Sequence, residues 1–380
     1  MRASFASLIA VPLLGCLVCL PPRSPAQADD EGALLNELQN IKTITSTVPA
    51  NGDVNPYGVA IVPRTQGRLL KGHVLVSNFN NRNNQQGTGT TIADVAPNGS
   101  FSLFAQIDAS KLPGSCPGGV GLTTALVVLK AGWVIVGSLP TTDGTAATAQ
   151  AGCLIVLDTN GKPVETFSGQ NINGPWDMTA DDRGSEAVLL FTNVLNGTVA
   201  AGGGTVNGGT VVRLVLDLSG GQMPVSKGQT VIASGFPEHT DPNALVVGPT
   251  GLGLGFNPFF ESGDTEPVLY VADTVSSAVK VVRHPLTRSD TEERAPTLSS
   301  NNSLNGPLGL AVAPNGHVLT VNGGDGFITE IAPNGVQVAN KLLDNTGGPP
   351  PGAGALFGLA TTETKVFFVD DGSNTLNVLQ

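Results

Sequence analysis

Polar side chains recur at one position of a repeated apolar segment, and in that pattern they could bind a metal ion. Each follows a run such as Val74-Leu75-Val76, where a buried strand is expected to end. Gathered around one axis, their oxygens are candidate ligands for Ca²⁺, an ion that prefers oxygen donors. The alternative is that each side chain caps a local turn by binding backbone amides. The set comprises Asn78, Ser138, Asn193, Asp273, Asn322 and Asp371.

A second group of candidates lies in a short motif containing proline and glycine. Asp177 stands where the other copies carry Gly or Ala, so its carboxylate either binds a ligand or holds backbone groups of its own loop. The residue one place earlier is aromatic in three copies, at Tyr57, Trp176 and Phe357. These rings favour an apolar or aromatic ligand, or a channel filled by side chains. His239, in Pro237-Glu238-His239-Thr240-Asp241, is a further ligand-binding candidate.

The motif opens a repeated unit whose elements would position these groups. Its copies centre on residues 58, 125, 177, 251, 309 and 358. A second apolar strand follows each copy, and a third runs into turns such as Ala96-Pro97-Asn98-Gly99. Asn-Gly supplies the positive φ angles that a hairpin requires. Constant strands with uneven spacing indicate repeats with variable loops, and four antiparallel strands per unit are typical of a β-propeller blade.

The order P-x-G-[LV]-[AG], then an apolar strand ending in [AS]-[DN], resembles NHL repeats of the six-bladed, TolB-like propeller superfamily. The resemblance implies an all-β, six-bladed β-propeller with four antiparallel strands per blade over residues 41–380. In gluconolactonase and paraoxonase relatives, Glu, Asn and Asp near the channel hold a metal, and amidating-lyase relatives use histidines for zinc. The aromatic motif residues of this chain fit that chemistry poorly. These residues favour a binding or scaffold protein that acts through its long-loop face. The resemblance implies the alternative, a Ca²⁺-dependent hydrolase or lyase of the gluconolactonase or paraoxonase type with an axial site.

The last unit lacks a fourth strand, because the chain stops soon after Asn374-Thr375-Leu376-Asn377-Val378-Leu379. Residues 41–48 have β-type composition and precede the first motif. We expect them to complete the last blade and close the ring, which leaves no unpaired edge there. Residues 29–40 are predicted to be a lead segment with a short helix packed outside.

Long polar loops are concentrated in the first three units, at residues 80–90, 139–151 and 196–208. Strand alternation places them on one face of the ring, together with the links 110–122, 236–248 and 344–354. Long loops on a rigid ring often carry function. They are equally well explained as tolerated insertions.

The N-terminus predicts export. Arg2, an apolar stretch over residues 5–20 and Ala26-Gln27-Ala28 match a signal peptide of residues 1–28. A lipid-anchored form through Cys16 is the rival interpretation. Cys116 and Cys153 remain afterwards and are predicted to form a disulfide in an oxidising compartment. The protein is therefore expected to be periplasmic or secreted.

Charge and motifs exclude several classes of protein. Without Arg2 and Arg23 the 19 basic side chains fall to 17 against 30 acidic ones, a net charge of −13. This argues against nucleic acid as a partner, because nucleic-acid binding needs a basic face. No segment after residue 28 is long and apolar enough to span a bilayer. The sequence also lacks a G-x-S-x-G elbow, a zinc-binding helix motif and a phosphate loop.

Overall fold

The structure, a computed structural model, describes residues 32–260 and 266–380. In this part of the chain, six antiparallel sheets form a six-bladed propeller, as predicted. The predicted signal peptide, residues 1–28 with Cys16, lies outside the described residues. No helix among the described residues is long and apolar enough to cross a membrane.

The lead segment and the first three blades account for residues up to Val247. The helix α1 spans Leu34–Glu37, and β1 spans Ile41–Ser46. Blade one comprises β2 (Val54–Ile61), β3 (Val74–Asn80), β4 (Thr91–Val95) and β5 (Phe101–Gln106). Blade two comprises β6 (Leu122–Val128), β7 (Val134–Ser138), β8 (Cys153–Leu157) and β9 (Pro163–Phe167). Blade three comprises β10 (Pro175–Asp182), β11 (Glu186–Asn193), β12 (Val206–Asp217) and β13 (Val225–Asp241), extended by β14 (Leu245–Val247).

The remaining blades follow the same plan. Blade four comprises β15 (Pro249–Gly255), β16 (Val268–Asp273), β17 (Ala278–Val282) and β19 (Thr297–Ser300); β18 (Glu292–Glu293) pairs instead with β13. Blade five comprises β20 (Pro307–Val312), β21 (Val318–Asn322), β22 (Phe327–Ile331) and β23 (Gln337–Leu342). Blade six comprises β24 (Leu356–Thr361), β25 (Val366–Asp370), β26 (Thr375–Leu379) and β1. Short 3-10 turns lie at Ala109–Lys111, Ala146–Thr148 and Ser219–Gly221.

The core lies between neighbouring blades, which explains the continuous apolar runs of the second strands. In β3, Leu75 packs in the cluster between blades one and two. Val74 and Val76 point the other way and pack against Val369 and Leu376 of blade six. Successive strand residues face opposite sides of a sheet, so a strand covered on both sides must be apolar at every position.

The ring closes as predicted from the sequence. The strand β1 pairs antiparallel with β26, from Ile41 opposite Leu379 to Ser46 opposite Thr375. Beyond the strand, Asn40 and Gln380 exchange two backbone hydrogen bonds of 2.8 and 2.9 Å. Blade six therefore takes its outer strand from the start of the described chain and its other three strands from the end.

The lead segment is fastened to blade five by a buried carboxylate. Glu330 accepts hydrogen bonds from the backbone amides of Leu34 and Leu35 at 2.9 and 2.8 Å. His317 bonds the same carboxylate through Nδ1 at 2.8 Å. Leu34, Leu35 and Leu38 pack into the core between blades five and six. These contacts hold the short helix in place although four residues are too few for an independent helix.

A disulfide joins Cys116 and Cys153, as predicted. It connects the link before blade two to the first residue of β8. Its position fixes one of the links on the long-loop face to the body of a blade.

Candidate functional site

Every inner strand carries a β-bulge at the repeated motif. In β2 the register shifts between Pro56 and Val59, and the same shift interrupts the other five inner strands. A bulge bends its strand and re-aims a side chain. Here it turns the residue before the motif glycine toward the mouth of the channel on the long-loop face.

Glycine permits the bulge to touch the neighbouring inner strand. A Cβ atom on Gly358 would lie 2.0 Å from the carbonyl oxygen of Tyr57 in blade one. A Cβ on Gly309 would lie 2.2 Å from the carbonyl oxygen of Phe357 in blade six. Neither distance is physically accessible, so the motif glycines are required by the convergence of the strands.

Four aromatic rings from blades one, three and six meet at this mouth. The Tyr57 ring stacks on Phe357 with centroids 4.2 Å apart and on Phe79 at 4.6 Å. Trp176 meets Tyr57 edge-on at 5.8 Å and Phe79 edge-on at 5.5 Å. Such offset and perpendicular contacts stabilise aromatic clusters beyond simple burial. We call these four rings the mouth cluster; they close much of the channel entrance.

A hairpin formed by the end of β13 and by β14 covers the mouth cluster. Residues His239 to Asp241 pair with Leu245 to Val247. The Asp241 carboxylate accepts the backbone amides of Asn243 and Ala244 and so shapes the turn. Leu245 and Val246 are buried against the aromatic rings. Residues 236–248, which the sequence suggested were only a link, therefore include a hairpin that covers the mouth cluster. We call this hairpin the roof.

The long loops of blades one to three interlock and support that roof. Gln85 donates from Nε2 to the Asp143 carbonyl at 3.2 Å, which ties the first loop to the second. Gln86 donates from Nε2 to the carbonyl of Asn243 in the hairpin turn at 3.1 Å. From the third loop, the Thr198 hydroxyl donates to the Glu238 carboxylate at 2.7 Å. The loops therefore stabilise the position of the hairpin.

A cavity of about 700 Å³ lies beside the mouth cluster, under the hairpin, and we call it the mouth cavity. Tyr57, Trp176 and Phe357 form one wall. Blades four to six and the links beside them form the others. They contribute Thr274, Val275, Ser277, Asn305, Gly306, Leu308, Gly323, Gly324, Gly348, Pro349, Ala353, Gly354 and Asp371, while the hairpin adds His239, Asn243, Ala244, Val246 and Val247.

Asp371 dominates the electrostatics of the mouth cavity. Burial, and after it the charge of the nearby Asp370, raise the pKa of its carboxyl to about 7. Its carboxylate accepts no hydrogen bond from any side chain or amide in the described part of the chain. Burial, and then the charge of Asp371, also raise the pKa of the Tyr57 phenol.

His239 is a further polar group that lines the mouth cavity. Its Nδ1 atom is buried and has no hydrogen-bond partner among the described residues. Asp371 is half-buried and likewise accepts no hydrogen bond within the described ranges. A buried polar atom without a partner is costly, so a ligand that binds the His239 Nδ1 atom would gain from the contact.

The structure gathers most of the predicted ligand-binding residues and leaves one apart. Tyr57, Trp176, Phe357 and His239 all line the mouth cavity. Asp177 does not line it and lies on the inner strand one residue beyond Trp176. Its Oδ1 atom accepts the backbone amide of Met178 at 2.7 Å. Burial raises the pKa of Asp177 to about 8.

Four of the proposed metal ligands form hydrogen bonds with nearby protein groups, although the Oδ1 atom of Asn78 has no partner among the described residues. Asn78 donates to the Thr47 carbonyl at 3.1 Å, and Asn193 accepts the amide of Gly174 at 2.7 Å. Asp273 accepts the amide of Ser276 at 3.2 Å, and Asn322 accepts that of Asn305 at 3.1 Å. These contacts are the local bonds expected of turn-capping residues.

The register also places Asp370, not Asp371, at the equivalent position of blade six. Asp370 pairs with Leu356, just as Asn78 pairs with Pro56 in blade one. Asp371 is one residue further along and faces the mouth cavity instead. Among the described residues, no group of three or more His, Cys, Asp or Glu side chains could hold a metal ion. The residues that are present therefore do not fit an axial calcium centre.

Several residues of the mouth cavity were not singled out from the sequence. Asn55 lines it with a left-handed backbone (φ 60°), and its buried Oδ1 atom has no hydrogen-bond partner within the described ranges. Thr274, Ser277 and Asn305 lie in loops whose sequences are typical of ordinary turns. An Asn before a motif proline was the available signal for Asn55, since Asn tolerates this conformation better than most residues do.

Replacing Asp177 by asparagine tests whether the pKa of its carboxyl is raised in the folded protein. Because its folded-state pKa is raised from 3.8 to about 8, the ionisation of Asp177 lowers the stability progressively as pH rises from about 3.8 to about 8. We expect Asp177→Asn to raise the melting temperature much more at pH 9 than at pH 5. Differential scanning calorimetry at both pH values measures this, with Glu363→Gln, an exposed carboxylate, as control. An equal change at both pH values would contradict a raised pKa.

Comparison with solved structures supports the architecture. A gluconolactonase from Xanthomonas campestris superposes with a TM-score of 0.54 over 95% of this chain and 95% of that chain, at 14% identity. A luciferin-regenerating enzyme superposes with a TM-score of 0.54 over 89% of this chain and 94% of that one, at 10% identity. No family model and no curated protein matches the sequence. At these identities the likeness concerns the fold, so the chain is defined as a six-bladed β-propeller with a roofed cavity at one channel mouth.

Proposed function

We propose that this protein is an exported binding propeller that takes up a small, partly apolar molecule in the mouth cavity. The observation that carries the proposal is the cavity itself, of about 700 Å³, with aromatic rings on one wall and a few convergent polar groups. Ligand sites in proteins commonly have this size and this mixture of apolar lining with isolated polar groups.

The support around the mouth cavity is consistent with a preformed site. The long loops hold the hairpin in place, and the rings of the mouth cluster are closely packed. A site that is already ordered loses less entropy when it binds. The long loops on this face of the ring would thus support a ligand pocket rather than form an extended binding surface.

Binding of an uncharged fluorescent dye tests this function. N-phenyl-1-naphthylamine should brighten when it enters the mouth cavity, because its emission rises in apolar surroundings. Ala353→Trp, which fills the cavity from one wall, should abolish most of the increase. Ala180→Trp places the same side chain at the opposite channel mouth and should leave the signal intact. A signal that survives Ala353→Trp but is lost in Ala180→Trp would place the binding site at the wrong end of the channel.

Metal-dependent hydrolysis of a lactone is the second candidate function. The likeness of the fold to a gluconolactonase favours it. The set of predicted calcium ligands does not favour it, because Asn78, Asn193 and Asp273 form hydrogen bonds with local protein groups. The Asp177 carboxylate likewise accepts the amide of Met178. Metal analysis and thermal unfolding with Ca²⁺ decide between the candidates. One bound Ca²⁺ per chain that is lost in Asp177→Ala or Asp273→Ala would favour the hydrolase.

Export is part of the proposal. The disulfide between Cys116 and Cys153 supports it, because such bonds persist mainly in oxidising compartments. The intact mass of the protein recovered outside the cytoplasm should correspond to a chain that begins at Asp29. A mass that includes residues 1–28 would rule out cleavage after Ala28.

A further inference from the structure

The carboxylate of Asp371 has neither a hydrogen-bond donor nor a counter-ion among the described residues of the mouth cavity. It is half-buried, and no described residue donates a hydrogen bond to it. No Lys or Arg lines the mouth cavity in the described part of the chain. A carboxylate without a counter-ion or hydrogen bonds is costly in a partly dry site. A positively charged group on a ligand would supply the missing partner.

The wall beside Asp371 is suited to a cation with apolar substituents. Tyr57 lies close enough for the Asp371 charge to raise its pKa, and its ring stacks on Phe357. Phe357 is the ring of this pair that remains partly exposed. A cation over an aromatic face is attracted by the ring electrons, most strongly where water is excluded. Leu308, Val246 and Val247 add aliphatic surface to the same cavity.

A divalent metal is a poorer match for this carboxylate. Calcium needs several oxygen ligands, commonly including more than one carboxylate. Asp371 is the sole carboxylate among the described residues that line the mouth cavity. The adjacent Asp370 is engaged with the Ser373 amide at 3.1 Å and with Asp344. Its charge nevertheless makes the neighbourhood more negative, which favours an organic cation.

We propose that the mouth cavity selects organic cations, namely amines or quaternary ammonium compounds, with Asp371 as the counter-ion and the aromatic wall contacting the substituents. This proposal rests on the proposed binding function and specifies its ligand class. The acidic chain, of net charge −11, would also attract such ligands over a distance. His239 also lines this cavity, and the variant His239→Gln separates its contribution from that of Asp371.

Displacement of the bound dye by a matched pair of ligands tests the proposal. Trimethylphenylammonium and tert-butylbenzene have nearly the same shape and differ in charge. The wild-type protein should bind the cation at least tenfold more tightly at pH 8, the order of one cation–aromatic contact in a partly desolvated site beside a carboxylate. Asp371→Asn should bring the two affinities close together. Glu363→Gln removes a carboxylate from an exposed turn of the same blade and should keep the full preference.

The pH dependence gives a second readout. With the pKa of Asp371 at about 7, preference for the cation should increase between pH 5.5 and pH 8 in the wild type. It should be flat in Asp371→Asn and should still increase in His239→Gln. Tyr57 stays protonated over this range because its pKa is raised.

The possible failures are distinguishable. If tert-butylbenzene displaces the dye as well as the cation does, or if Asp371→Asn keeps the preference, the inference about charge is wrong and the binding function stands. If neither compound displaces a dye that does bind, the inference is also wrong. If the dye itself does not bind at the mouth cavity, the proposed function fails with it.

Discussion

Replacing Gly358 by alanine is expected to destabilise the protein by about 3 kcal/mol, at the upper end of overpacking effects. The added Cβ atom would lie 2.0 Å from the Tyr57 carbonyl oxygen, which belongs to the backbone of the next blade. A backbone atom cannot turn aside as a flexible side chain can. Either the two inner strands separate or the bulge is lost, and both disturb the mouth cluster. Chemical denaturation measures the loss.

Gly204→Ala is the matched control for this substitution. Gly204 lies in a loop, and the nearest atom to an added Cβ would be 3.2 Å away. We expect a change within about 0.5 kcal/mol, as for surface substitutions generally. Equal stabilities of Gly358→Ala and the wild type would contradict the close approach of inner strands on which the ring depends.

Replacing Lys42 by proline should weaken the closure of the ring by about 2 kcal/mol. Asn40 and Gln380 form a hydrogen-bonded pair, and such pairs alternate along an antiparallel ladder. The next such pair is Lys42 with Val378. Proline has no amide hydrogen, so the Val378 carbonyl would lose its donor. The Lys42 side chain is exposed, so its removal costs little packing.

Ile41→Pro provides the comparison. Ile41 faces Leu379 in a pair that does not exchange hydrogen bonds, and its amide points away from β26. Proline is tolerated at such positions of an edge strand. The free energy of unfolding should therefore fall much less than in Lys42→Pro. Equal losses in the two variants would show that the ladder between β1 and β26 does not contribute as described.

The fold could be predicted because its signals are local and repeated. The motif around Gly58, Gly251, Gly309 and Gly358 marks the inner strands, and the structure gives its physical reason in the strand contacts. Closure by residues 41–46 followed from a missing fourth strand. The disulfide followed from the two cysteines left in the predicted mature chain.

The site could be predicted only in part. Tyr57, Trp176 and Phe357 share one motif position, so the sequence grouped them correctly at the mouth. The hairpin was missed because Pro237 interrupts an otherwise continuous strand, and proline in a strand usually marks an end. The structure accommodates Pro237 where the register between β12 and β13 is irregular. A long strand can therefore pass through this position to form the roof.

The role of Asp371 could not be predicted from its own segment. Asp370 and Asp371 are adjacent, and a shift of one residue decides which lies at the strand end and which faces the cavity. The other cavity walls come from blades one, three, four and five, far apart in the chain. The repeat pattern of the sequence does not predict which of these segments come into contact, because they meet only when the ring closes.

The most direct measurement is an electron-density map of crystals soaked with trimethylphenylammonium. We predict one molecule in the mouth cavity, its ammonium group beside the Asp371 carboxylate and its ring or methyl groups against Phe357. Density for the ligand at the opposite channel mouth, or in the groove formed by Asp273, Lys280 and Arg294, would contradict the assignment of the binding site.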